Sequence, residues 1–81
     1  MDTKEIRAVV IAELKRIAPE IEEAELAPQA PLRDQVDLDS MDWLNFLVAV
    51  HQRLKVDIPE SDYRSLGTLE QLVGYLAKKL G

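Results

Sequence analysis

A small all-α bundle is the fold that the sequence predicts: three main helices, a short third helix before the last, and a long loop between the first two. Three observations predict it. Apolar residues recur at three- and four-residue spacing in three separate stretches, and capping residues bracket those stretches. No alternating apolar–polar run is long enough to make a strand. The 81 residues suffice for one domain and are too few for two, so residues 1–81 read as a single domain.

The first helix is expected from about Lys4 to Ile17, where Ile6, Val9, Val10, Leu14 and Ile17 share a face and Arg7, Glu13, Lys15 and Arg16 occupy others. Asp2 and Thr3 can cap its start, and Pro19 forbids its continuation. From Ala18 to Asp39 runs a loop holding three of the four prolines, Pro19, Pro28 and Pro31. Leu26, Leu32, Val36 and Leu38 follow no single helical face and read as anchors that pin it to a core. A loop of this length in so small a domain points to function. The second helix spans Ser40 to Leu54 with Asp39 as its N-cap. On its wheel Trp43, Leu47, Val50 and Leu54 cluster toward the core, with Phe46 beside them. A short helical turn fits Pro59 to Tyr63. The last helix opens on Thr68-Leu69-Glu70-Gln71, a capping box, and presents Leu69, Leu72, Val73, Leu76 and Leu80 inward.

Composition removes several functional classes. There is no cysteine, hence no disulfide, thiolate metal site or cysteine nucleophile. The net charge of −5 lies wholly in the first half: residues 1–40 carry ten acids and five bases, residues 41–81 five of each. Between Ile17 and Asp42 eight acids face one base, Arg33. Clustered basic side chains are what hold a phosphate backbone, so nucleic acid is not an expected partner. Charge of this sign suggests a basic protein surface as partner, with a merely solvated acidic loop as the alternative. No apolar run approaches the roughly 20 residues of a membrane span, and the first five residues lack the layout of a signal peptide; no membrane insertion and a cytoplasmic setting are expected.

Catalysis by the chain itself fails on geometry. Ser40 needs a base within about 2.6–3.2 Å, and the only histidine, His51, stands eleven residues along the same helix, roughly 16 Å away at ~1.5 Å per residue. The acids Asp34, Asp37, Asp39 and Asp42 do not fit a calcium loop, which needs a glycine at its sixth position and a glutamate at its twelfth. No catalytic residue and no metal ligand is expected.

The remaining feature is Asp37-Leu38-Asp39-Ser40-Met41-Asp42-Trp43-Leu44, a serine where a long loop meets a helix. Here the chain resembles the acyl carrier protein family, whose members carry Asp-Ser-Leu and then an acid at this junction. Asp39-Ser40-Met41-Asp42 matches with Met for Leu, a volume-conserving change. The resemblance extends to the first helix, the loop with Leu26 and Leu32, the apolar second helix, Ile58-Pro59 before the short helix, and Thr68-Leu69. It implies a carrier, not an enzyme: a phosphoprotein in lipid or polyketide biosynthesis that holds acyl groups as thioesters on a 4′-phosphopantetheine arm joined covalently to Ser40. The implied partners are a phosphopantetheinyl transferase, an acyl-loading ligase and acyl-transferring enzymes, with the acyl group as cargo and the carrier a monomer. A phosphodiester at Ser40 would lie at the positive end of a helix dipole, with Asp39 and Asp42 as a handle for the transferase.

In one respect the chain departs from the pattern. Fatty-acid carriers of this family have a strongly acidic second helix; this one has a single acid past Ser40, Asp42. A specialised pathway is therefore expected. The alternatives are an amino-acyl or aryl carrier for a synthetase-like ligase, and an unmodified helical interaction domain in which Asp39 and Ser40 only cap a helix. Met41, Leu44 and Val48 form a second apolar stripe away from the core face. Met41 and Val48 are expected to be exposed and, with Asp39, Asp42 and Leu44, to make up the surface that partners read.

Overall fold

The computed structural model describes residues 2–36 and 38–80. Four α-helices follow in order, α1 (Thr3–Ile17), α2 (Leu32–Gln35), α3 (Ser40–Leu54) and α4 (Leu69–Leu80), with 3-10 turns at Glu23–Glu25 and Glu60–Ser65. Helix α1 packs against both α3 and α4. Among the described residues the β contact is an isolated bridge between Pro31 and Thr68, so the all-helical expectation holds. The expected short third helix is the second 3-10 turn, with Pro59 at its N-cap. Helix α2 and the first 3-10 turn stand where the sequence suggested only loop.

Each main helix is closed by side chains read from the sequence. Asp2 Oδ1 accepts the Glu5 amide at 2.8 Å, and Asp39 Oδ1 accepts the Asp42 amide at 2.8 Å. The capping box of α4 is reciprocal: the Thr68 amide donates to Gln71 Oε1 at 3.2 Å and the Gln71 amide to Thr68 Oγ1 at 3.1 Å. Helix α3 ends on Lys55, whose φ of 55° is left-handed.

One apolar core joins all the elements. From α1 come Ile6, Val10, Ile11 and Leu14; from α3 Trp43, Phe46, Leu47, Val50 and Leu54; from α4 Leu69, Leu72, Val73 and Leu76. Ile11 joins this core although the spacing did not single it out, whereas Val9, Ile17 and Leu80, which the spacing put on the inward faces, are only partly covered. The loop anchors Leu26, Leu32, Val36 and Leu38 are all buried. Leu32 is pinned twice over, its side chain fully buried and its amide donating to the Gly67 carbonyl at 2.8 Å. The Gln35 side chain then spans the loop, its Oε1 accepting the Ala27 amide at 2.6 Å. Its Nε2 donates to the Ala27 and Ala30 carbonyls, each at 2.9 Å.

Two polar contacts were not legible in the pattern. Glu13, which the wheel put on an outward face, is only 3% exposed. It is held by Arg53 of α3 at 3.1 Å and Arg16 at 3.3 Å, which satisfies the charge that burial would otherwise penalise. Tyr75 on α4 donates its hydroxyl to Asp62 Oδ2 at 2.7 Å. Loss of water contact, then that hydrogen bond and the charges of Asp62 and Asp57, push its phenol up to about 12.

Candidate functional site

Ser40 is the first residue of α3, and the geometry around it follows from Asp39. That residue is extended, with φ −82° and ψ −179°, so the chain turns into the helix only at Ser40. Its carbonyl accepts the Trp43 amide at 3.0 Å and its side chain caps Asp42. The first amides of any helix have no partner within the helix, so Ser40 sits where an anion is favoured. The serine is exposed, as its expected role requires. Asp37, which opens the motif, lies outside the described residues.

The described neighbour of the Ser40 hydroxyl is a cation. Arg33 Nη2 donates to Ser40 Oγ at 3.5 Å. That contact is long for a hydrogen bond, but it places a guanidinium beside the hydroxyl. A guanidinium cannot accept a proton, so it does not activate the serine. His51 cannot either. It stands eleven residues along α3 from Ser40, with its Nδ1 against the Val56 carbonyl, too far to reach the hydroxyl. Among the described residues no cluster of three His, Cys, Asp or Glu side chains could hold a metal.

Beside Ser40 lies a cleft of about 350 Å³ lined by Pro31, Arg33, Trp43, Tyr63 and Gly67. Trp43, one turn past Ser40, is a buried residue of this lining, and its ring stands 5.4 Å from that of Phe46. The sequence reading brought Trp43 near the site but missed Arg33, Tyr63 and the cleft. The signal for Arg33 was present: it is the single base in the acid-rich stretch. Tyr63 and Gly67 carried no such signal, since only the tertiary fold brings them to Pro31.

Of the remaining residues of the expected partner surface, Met41, Leu44 and Val48 share one face of α3, Asp42 stands on another, and Asp39 is the N-cap. Asp39 is exposed and Asp42 and Leu44 are half-covered. Met41 is 64% and Val48 38% exposed, the apolar stripe that the wheel placed away from the core. Among the described residues no helix is long and apolar enough to cross a membrane.

Comparison with known proteins agrees with this geometry. The sequence model of a family described as "Phosphopantetheine attachment site" matches residues 4–76. The acyl carrier protein of Chlorobium phaeovibrioides is 27% identical over 55 residues, covering 68% of this chain and 70% of the relative. The meromycolate extension acyl carrier protein of Mycobacterium bovis is 31% identical over 68 residues, covering 84% of this chain and 59% of the relative. The solved structure of the acyl carrier protein of Enterococcus faecalis superposes with a TM-score of 0.79 at 19% identity, covering 98% of this chain and 99% of the other. At that identity the likeness is one of fold.

Proposed function

The chain belongs to the phosphopantetheine-attachment family, and on that premise we propose that Ser40 bears its 4′-phosphopantetheine arm and that the carrier serves a dedicated pathway. Acyl carrier proteins of this family are carriers rather than enzymes, and their prosthetic group is covalently attached 4′-phosphopantetheine. Its thiol holds the acyl group as a thioester. This chain has no cysteine, so all the reactive sulfur is the arm's.

The observation that carries the assignment is the placement of Ser40: exposed, first in α3, behind a capping aspartate, and with no histidine beside it among the described residues. Loading needs an external enzyme. A phosphopantetheinyl transferase supplies the base that takes the Ser40 proton as the bond from Oγ to phosphorus forms. The bond from that phosphorus to the nucleotide part of coenzyme A breaks. Asp39 and Asp42 give the transferase a charged handle.

A dedicated pathway is supported by the surface of α3. With Asp42 as its single acid and Met41 and Val48 exposed, this helix offers apolar area where a general fatty-acid carrier offers charge. The name of the Mycobacterium bovis relative, meromycolate extension acyl carrier protein, fits such a role. The partners in this reading are an acyl-loading ligase and acyl-transferring enzymes, acting on a monomeric carrier in the cytoplasm.

The test is intact mass after incubation with coenzyme A and a broad-range transferase. The wild-type chain gains one arm and Ser40→Ala gains none. An arm on Ser40→Ala moves the site to another hydroxyl, and no arm on the wild type leaves only an interaction domain.

A further inference from the structure

We propose that Arg33 holds the phosphodiester of the arm at the first turn of α3, so that the arm leaves Ser40 along the cleft of Pro31, Trp43, Tyr63 and Gly67. The inference rests on Ser40 as the point of attachment and goes beyond it by assigning a residue to the phosphate itself.

Three observations converge on Arg33. Its Nη2 is already 3.5 Å from Ser40 Oγ, the atom that becomes the ester oxygen. A phosphate esterified at that atom would present its two non-bridging oxygens one bond beyond it, on the side where the guanidinium already stands. The planar fork of arginine matches two such oxygens at once, which a lysine ammonium cannot do. The same side chain also lines the cleft of Pro31, Trp43, Tyr63 and Gly67, so a phosphate held by Arg33 would lie beside that cleft.

The third observation is charge. A phosphodiester adds a negative charge beside Asp39 and Asp42, with Asp34 on the neighbouring turn. Between Ile17 and Asp42 the sequence holds a single base to offset them, and the fold sets it facing the serine. Nor is Arg33 carried on a slack loop. It is the second residue of α2, whose first residue Leu32 is fully buried and whose last, Gln35, is tied through three hydrogen bonds to Ala27 and Ala30. The Pro31–Thr68 bridge fixes the turn to the start of α4. The backbone beneath the guanidinium is thus set before any arm arrives, which lowers the entropy lost on holding the phosphate.

The experiment uses the arm-bearing protein, with loading confirmed by intact mass, and reads the ³¹P resonance of the phosphodiester. In the wild type it should lie well away from its value in the urea-unfolded holo protein. In Arg33→Gln it should move most of the way to that value, and Arg33→Lys should fall between. A second reading needs no variant: the Arg33 Nε–Hε signal of the wild type should shift when apo protein is converted to holo. Coincident ³¹P resonances in wild type and Arg33→Gln, or an unmoved Nε–Hε signal, overturn the proposal while leaving Ser40 loaded. Failure of the wild type to gain the arm overturns the attachment reading, and this inference with it.

Discussion

Glu13 shows what a residue's own helix can and cannot reveal. On the wheel of α1 it belongs with the polar positions, because periodicity sees only the helix it is computed for. Its burial is decided forty positions later, by an arginine at the end of α3. The same holds for Arg33: its oddity of charge was visible, but its neighbour Ser40 lies in another element. Asp39 and Thr68 were legible because their partners are local. The two arginines on Glu13 are unequal. Arg16 is 74% exposed and three residues away on the same helix, a pair worth about 0.2–0.5 kcal/mol. Arg53 is 49% exposed and ties α3 to α1; its charge-assisted bond reaches a carboxylate with little water of its own, worth about 1–2 kcal/mol after discounting for its exposure. Arg53→Gln should therefore cost clearly more than Arg16→Gln in urea unfolding followed by circular dichroism. Equal losses would mean that the link between the helices adds nothing to the local pair.

At the scale of elements, the long helices and the short turn after Pro59 were readable, and α2 was not. Helix α3 begins and ends where its caps and apolar spacing put it. Helix α2 has four residues, barely one turn, and a 3.6-residue period cannot show in one turn. What stabilises it is tertiary: buried Leu32, the Gly67 carbonyl and the Gln35 side chain. Prolines marked the loop as irregular, and its anchors were correctly taken as buried, yet the turn between them depends on contacts that the sequence does not order. The end of α3 carries a similar local cost. Lys55 adopts φ 55° and ψ 41°, a conformation that costs a residue with a Cβ roughly 1–2 kcal/mol. Glycine adopts it freely but loses more chain entropy on folding. Lys55→Gly should come out ahead by about 0.5–1 kcal/mol, seen as a rise in Tm by calorimetry. A fall would show that the Lys55 side chain makes a contribution larger than the strain.

Across the whole molecule, the fold shared with the Enterococcus faecalis protein at 19% identity is a scaffold, and identity resides in what the surface presents. The acids crowd the stretch from Ile17 to Asp42, while the outward face of α3 presents Met41 and Val48, the exposed large hydrophobic side chains among the described residues. Helix α1 packs on α3 and α4 from the other side, so this stripe has no work in the core. A partner that reads it gains by covering apolar surface, at about 25 cal/mol per Å² removed from water, and little of that gain is screened by salt. Charge-steered recognition behaves differently, since its attraction fades as the Debye length shrinks from about 10 Å at 0.1 M to about 3 Å at 1 M. In the proposed role, transfer of the acyl group between the carrier and a loading ligase should thus change little across that range of salt. Val48→Glu should slow the transfer at every salt concentration yet shift unfolding by no more than about 0.5 kcal/mol, the ordinary range for a surface position. Steep loss of transfer with salt in the wild type would give recognition to Asp39 and Asp42, and a large loss of stability in Val48→Glu would make Val48 part of the core.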